Sequence, residues 1–462
     1  MRRAVLIAWL VWGSSASVAL GHAAEQGFIL LLPTDVYITA GVAVVALTVL
    51  VLALVPDRMT HGVFRPVVLW RVRKSSLTHV TSCLSAVVLV WLVLAGLYGS
   101  RDPLGNPLPL TVWTVWWIAM VSVQGLIWNH WRWTNPWTGP AALMARAVGE
   151  RAPLRYPSAL GHAPGIIGFI AFCGFLLADP APSDPARLAG IVGGYWLIML
   201  AGLALFGPRW LLRAEAATML MRLYGRMAML GRRRGRLAFG LPGWQIARGP
   251  HLPLGAGLLA LLALGGGSFD GLNETFWWLG QLGVNPLEFP GRSAVISPTL
   301  AGLLGANLVL IVIFGLCTWA GLRLAGGEVY MRMAFRAFGP AILPIALGYH
   351  IAHYLVSFLV DGQYVLAFLS DPLGRGWDIL GLGAHSVSTG FLNTTATVKV
   401  IWLSQAGAVV IGHVIAILLA HALAIRLFQQ RKQALLSQLP LALFMVGYTL
   451  FGLWLLASPR GM

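Results

Sequence analysis

Residues 340–360 read PAILPIALGYHIAHYLVSFLV, and within them Gly348-Tyr349-His350-Ile351-Ala352-His353-Tyr354 decides how the chain is read. A run of about 20 apolar residues is long enough to cross a bilayer as a helix. Residues three apart share a helix face, so His350 and His353 point the same way. Imidazole within a hydrocarbon span is costly unless it is paired, solvated or ligated, which makes an intramembrane histidine a candidate functional residue. A second apolar run, 400–425, carries His413 and His421. They are eight residues apart, a little over two helical turns, and so fall near one face. Two neighbouring spans thus hold four of the chain's 11 histidines. The plainer reading is that each histidine only bonds a carbonyl on a facing helix and ties two spans together.

The rest of the composition fits this stretch. The chain has 462 residues, 58% hydrophobic and only 10% charged, with 54 glycines and 20 tryptophans. That is an all-α, polytopic membrane helix bundle rather than a soluble domain. A net charge of +17 would suggest nucleic acid in a soluble protein. Here the basic residues fall in the connections between apolar runs, so no nucleic acid is implied. Cys83, Cys173 and Cys317 each lie in an apolar run without CxxC spacing, as small buried hydrophobes do.

The N-terminus has the plan of a secretory signal: Arg2-Arg3, an apolar stretch from Ala4 to Leu20, then Gly21-His22-Ala23-Ala24. Residues 1–24 are therefore expected to be removed, leaving 25–462 as a single transmembrane domain. An uncleaved first span is the alternative. Ten spans are expected, near 36–55, 80–98, 110–128, 164–178, 188–206, 252–267, 298–320, 340–360, 400–425 and 439–456. Alternate connections hold 24 and 6 of the Lys and Arg residues, which places the first set in the cytoplasm and both mature ends outside. That is the topology of a bacterial inner-membrane protein.

Three connections invite closer reading. Residues 128–137 read WNHWRWTNPW, an aromatic belt at the interface or a polar pocket using Asn129 and His130. The basic connection 207–251 contains MLMRLY (219–224), which suggests an amphipathic helix on the inner leaflet, with a solvated basic loop as the alternative. Residues 268–297 are too polar to span and are expected as an outer interfacial segment. Asn307 and Gln405 are polar residues within spans seven and nine.

His350 and His413 both fall near mid-membrane in adjacent antiparallel spans. Three imidazoles, His350, His353 and His413, can hold a divalent ion such as Zn²⁺ with one open position, where bound water becomes a nucleophile near neutral pH. His421 is a fourth, more peripheral ligand. Asp361, two turns beyond His353, is the expected carboxylate partner or general base. No HExxH, GxSxG, Walker or GxGxxG motif appears in the right context.

FILLLPTDVYITAG (28–41), the GYHIAHY stretch and the run His413, His421, Ser437-Gln438-Leu439-Pro440, Tyr448, Gly452-Leu453-Trp454 resemble bacterial polytopic membrane proteins of the fenitrothion hydrolase type. The resemblance covers most of the mature chain. It implies hydrolysis of the aryl P–O bond of lipophilic organophosphorus triesters by a membrane enzyme with a second, related membrane subunit. It supplies no catalytic motif, so the histidine assignment rests on placement alone. Two other readings stand beside it. One is a redox subunit, since histidines on two adjacent spans can ligate a b-type haem. The other is a small-molecule or metal transporter.

Overall fold

The computed structural model describes residues 29–56, 62–72, 77–149, 152–288, 291–326, 329–372, 375–383, 387–428 and 430–460. The expected signal segment, 1–24, lies outside the described residues. Among those described, nine helices are long and apolar enough to cross a membrane. They are α1 (Thr34–Leu54), α2 (Leu77–Tyr98), α3 (Pro107–Leu126), α5 (Pro185–Phe206), α7 (Leu254–Asn273), α8 (Ile296–Ala325), α9 (Leu343–Ser370), α10 (Thr395–Leu427) and α11 (Arg431–Ala457). A shorter apolar helix, α4 (Ala163–Ala178), supplies the tenth expected run. The short helix α6 (Ala216–Gly225) lies between α5 and α7. This is a multi-pass, all-α membrane helix bundle with one small sheet in its connections.

The connections sort to two ends. Strands β1 (Val67–Arg71), β2 (Leu230–Arg233) and β3 (Arg236–Phe239) form a small antiparallel sheet in the order β1-β3-β2. It joins the connection after α1 to the one after α6. Arg234 and Gly235, both at positive φ, make the two-residue turn between β2 and β3. Arg336, before α9, donates to the carbonyl of Leu252 at 2.9 Å. Arg426, at the end of α10, donates to the carbonyls of Ala247 and Gly249. Arg431, at the start of α11, donates to those of Ala53 and Val55. A bridge between Trp128 and Leu230 brings in the connection after α3. All five basic connections therefore meet at one end. At the other end the C-terminal tail pairs with the segment after α7, through the Thr275–Arg460 bridge. Arg292 there donates to the carbonyl of Leu176, at the end of α4.

α7 and α9 are the most enclosed of the long helices. Between helices in lipid, close packing and small residues replace the hydrophobic drive of a soluble core. At the crossing of α9 and α10, a Cβ on Gly348 would lie 2.4 Å from the Ala408 carbonyl oxygen. One on Gly412 would lie 2.6 Å from that of Pro344. The two backbones touch only because both positions lack side chains. Gln405 of α10 adds a bond of 2.8 Å to the Ala352 carbonyl of α9.

Three expectations are corrected. α7 runs on through Ser268 to Asn273, so the first six residues of the expected outer segment, 268–297, belong to a buried helix. Glycine and serine break helices in water, but lipid leaves the backbone no other partner than its own carbonyls. The MLMRLY helix does not lie on a membrane surface: Met219, Leu220, Met221, Leu223 and Tyr224 are all buried among α3, α4 and α7. In WNHWRWTNPW, Trp131 and Trp137 are buried rather than interfacial. Trp131 Nε1 and Asn135 Nδ2 both donate to the Thr218 hydroxyl of α6, at 3.1 and 2.9 Å. Of the residues of the polar alternative, His130 is buried and bonds the Met120 carbonyl at 2.8 Å, while Asn129 is exposed and accepts from Gln124 Nε2 at 3.0 Å.

Candidate functional site

Tyr349, His350, His353 and Tyr354 occupy one face of α9, at spacings of three and four residues. The His353 ring stacks on Tyr349 with centroids 5.9 Å apart and meets Tyr354 edge-on at 4.7 Å. His350 meets Tyr354 at 5.0 Å and Trp117 of α3 at 5.0 Å, nearly perpendicular to the latter. Trp117 comes from residues Leu110–Met120, which wind as a π-helix. Such wider turns recur at functional sites because they re-aim side chains that an α-helix would place elsewhere.

Asp270 of α7 enters this cluster. Its Oδ2 accepts a hydrogen bond from the Tyr354 hydroxyl and lies 3.1 Å from His353 Nε2. Both partners are almost wholly enclosed. A carboxylate oxygen accepts hydrogen bonds, so His353 Nε2 is the ring nitrogen placed to donate to Asp270, and Nδ1 is the other one. No described residue hydrogen-bonds His353 Nδ1, His350 Nε2 or the Tyr349 hydroxyl. All three side chains line one cavity of about 20 Å³, together with Cys173, Leu220 and Tyr224. That volume admits about one water molecule, and a buried water needs two to four polar partners. A second cavity, about 110 Å³, also has His353 in its wall, with Ser357, Gln405, Ser458 and Arg460. His353 thus borders both spaces. The positive charge of Arg460 acts on Asp270 from the C-terminal tail.

Two features hold the cluster in place. At Gly271 an added Cβ would fall 1.9 Å from the Tyr349 hydroxyl, so the bare backbone there admits the phenol. α6, whose Leu220 and Tyr224 close the cavity, is anchored at its start by Glu215. That carboxylate accepts from the backbone N–H groups of Ala217 and Thr218 and from the Tyr195 hydroxyl. Burial pushes the Glu215 carboxyl above the usual carboxylate range, and these bonds work against the shift.

His350 and His353 come together as expected, but His413 and His421 sit apart from them. His413 Nδ1 bonds the Val409 carbonyl of its own helix at 2.9 Å, and its ring lies 6.4 Å from that of Tyr448. Tyr448 in turn donates to Ser268 of α7 at 2.7 Å. His421 Nδ1 pairs with Gln438 Nε2 at 2.8 Å and lines a different cavity of about 60 Å³, beside Arg248 and Arg426. Asp361 lines neither cavity at His353. The carboxylate partner of His353 is Asp270, from another helix. Asn307 spends its amide on the Leu303 carbonyl one turn back.

Among the described residues no group of three or more His, Cys, Asp and Glu side chains is arranged to hold a metal ion. The expected zinc ligands His350, His353, His413 and His421 therefore do not fit a metal as a set. The roughly one-water space beside His350 does not fit a b-type haem either. What the arrangement offers is a carboxylate-oriented imidazole with a free ring nitrogen. No protein-family model, curated protein or solved structure matches this chain.

Proposed function

We propose that this chain is a membrane-embedded hydrolase of neutral, lipophilic esters in which His353, oriented by Asp270, acts as the general base. The carrying observation is the buried His353–Asp270 pair, with the other imidazole nitrogen unbonded among the described residues and His353 lining a space of water size. Asp270 fixes the tautomer and stabilises the imidazolium that forms, the role of the carboxylate in a hydrolytic triad. His353 Nδ1 takes a proton from water as the water oxygen bonds to the electrophilic centre. The ester bond breaks, and the imidazolium returns the proton to the leaving aryloxide. The resemblance to fenitrothion hydrolases supplies the substrate class, aryl organophosphorus triesters. Such triesters are uncharged and reach an intramembrane site by partition into the bilayer.

Both cavities are smaller than the roughly 300–1,000 Å³ of a pocket for a drug-sized ligand. The reading therefore requires the larger one to open, and the Ser458–Arg460 tail is the part of its wall outside the helices. The positive-inside rule supports a cytoplasmic basic end, and with it a tail on the outer side of a bacterial inner membrane.

The test is nitrophenol release from fenitrothion by proteoliposomes of the chain, with and without the second related subunit the resemblance implies. Release that persists in chelator is the expected result. Release abolished by chelator and restored by Zn²⁺ would return the site to metal chemistry. One observation favours a second reading, proton-coupled transport: His353 borders two cavities, as a relay between compartments would. Proton flux in the same vesicles without product would select it.

A further inference from the structure

At the basic end, a groove of about 120 Å³ runs between the start of α4, α6 and the start of α7. Its floor is apolar, with Leu212, Met219 and Leu252 in it. Its polar contributors are His162, Arg222 and Arg226. Arg222 and Arg226 are four residues apart across the end of α6, where like charges repel. Arg213 adds a third guanidinium, which acts on His162 as Arg222 does.

Among the described residues, the ion pairs Arg187–Asp179, Arg292–Glu274 and His353–Asp270 all lie elsewhere. Glu215, beside Arg213 in sequence, has its oxygens engaged by α6 and Tyr195. A cationic cluster over an apolar floor calls for a ligand that is anionic at one end and apolar along its length. Leu212 in its wall is a large hydrophobe left exposed, and so is Leu254, next in sequence to the lining Pro253. Basic pockets between helices at the cytoplasmic face hold anionic head groups in this way.

We propose that this groove binds an anionic phospholipid, with the phosphodiester on Arg222 and Arg226 and an acyl chain along Leu212 and Leu254. A guanidinium fork suits two phosphate oxygens at once, and the groove interior, too small for a folded partner, accepts only the head of a chain. This site is separate from the His353 cluster and stands or falls without the hydrolase reading.

The full-length protein, purified in detergent, is titrated with phosphatidylglycerol and with phosphatidylcholine of the same acyl chains, and bound lipid is counted by native mass spectrometry. Wild type should prefer phosphatidylglycerol, and Arg222→Gln with Arg226→Gln should lose about thirtyfold of that affinity, from two guanidinium contacts near the head group. Arg233→Gln, which removes one exposed cation at the same end, should change nothing. Equal binding of the two lipids by wild type overturns the proposal, whatever the variants do. So does a preference that survives in the double variant, or one that Arg233→Gln weakens as much. Displacement of phosphatidylglycerol by inorganic phosphate at equal concentration would mean that a free phosphate, not a lipid, is the ligand.

Discussion

Replacing Asp270 by asparagine separates what this carboxylate does for the fold from what it does for chemistry. Its Oδ2 serves two donors, the Tyr354 hydroxyl and His353 Nε2. A hydrogen bond to a charged group contributes about 1.5–3 kcal/mol and one to a neutral group about 0.5–1.5, so the exchange weakens each by about 1 kcal/mol. Removing the buried charge offsets part of this, since its desolvation cost disappears too. The net loss of stability should therefore be small, about 1–2 kcal/mol. Activity responds differently. The asparagine amide presents hydrogens where the carboxylate presented only lone pairs, and His353 adopts the other tautomer, with its proton on Nδ1. In hydrolytic triads that change costs about 10⁴ in kcat, or about 5.5 kcal/mol of barrier. Asp270→Ala is the contrast. It strands two buried donors and should cost about 3–5 kcal/mol of stability. Nitrophenol release and thermal unfolding in detergent, measured on both variants, check this. An Asp270→Asn protein that hydrolyses within threefold of wild type would refute the assignment of Asp270, and so would two variants that unfold alike.

Gly271→Ala should force the Tyr349 hydroxyl aside, cost about 1–3 kcal/mol as overpacking and lower activity with it, because His353 stacks on that phenol. Gly267→Ala, one turn earlier, meets Tyr349 only at 3.5 Å and should leave both measurements near wild type. His413→Gln should cost about 1 kcal/mol of stability through its bond to Val409 while hydrolysis continues, as judged by melting and initial rates. His162 is held below the ordinary imidazole value by burial first and then by Arg213 and Arg222. The fold thus binds fewer protons there than the unfolded chain. Its contribution to stability is present above the unfolded imidazole value and is lost as pH falls through the folded one. Melting temperature recorded from pH 7 to pH 5 should accordingly fall less in His162→Gln than in wild type.

The helical plan was legible because a long apolar run has one solution in lipid, and nine such helices and a shorter tenth appear among the described residues near where hydropathy placed them. The pairing of His350 with His353 was legible for a similar reason, since three residues on a helix fix a shared face whatever surrounds them. Which helix supplies their partner was not legible. Asp270 falls in 268–297, which as a whole is too polar to span and reads as an outer interfacial segment, whereas α7 carries it. The signal was present: counted as a full span from Leu254, α7 reaches Asp270 before it ends. His413 shares depth with the cluster, yet depth says nothing about azimuth, and His421 lies two turns nearer the basic end. Gly348 and Gly412 set the rotation of α10 against α9, and His413 then bonds its own helix. MLMRLY shows the same limit. Its pattern gives an amphipathic helix, and the burial of Met219, Leu220, Met221, Leu223 and Tyr224 against α3, α4 and α7 reveals that its apolar face meets protein rather than lipid.

The central claim is that His353, and not a four-histidine metal centre, carries the chemistry. Initial rates of nitrophenol release from fenitrothion in proteoliposomes test it, with His353→Gln, His413→Gln and His421→Gln compared at equal amounts of inserted protein. His353→Gln should lose activity to near background, while the other two keep at least a third of the wild-type rate. Equal loss in all three, or a His353→Gln protein as active as wild type, would contradict the account.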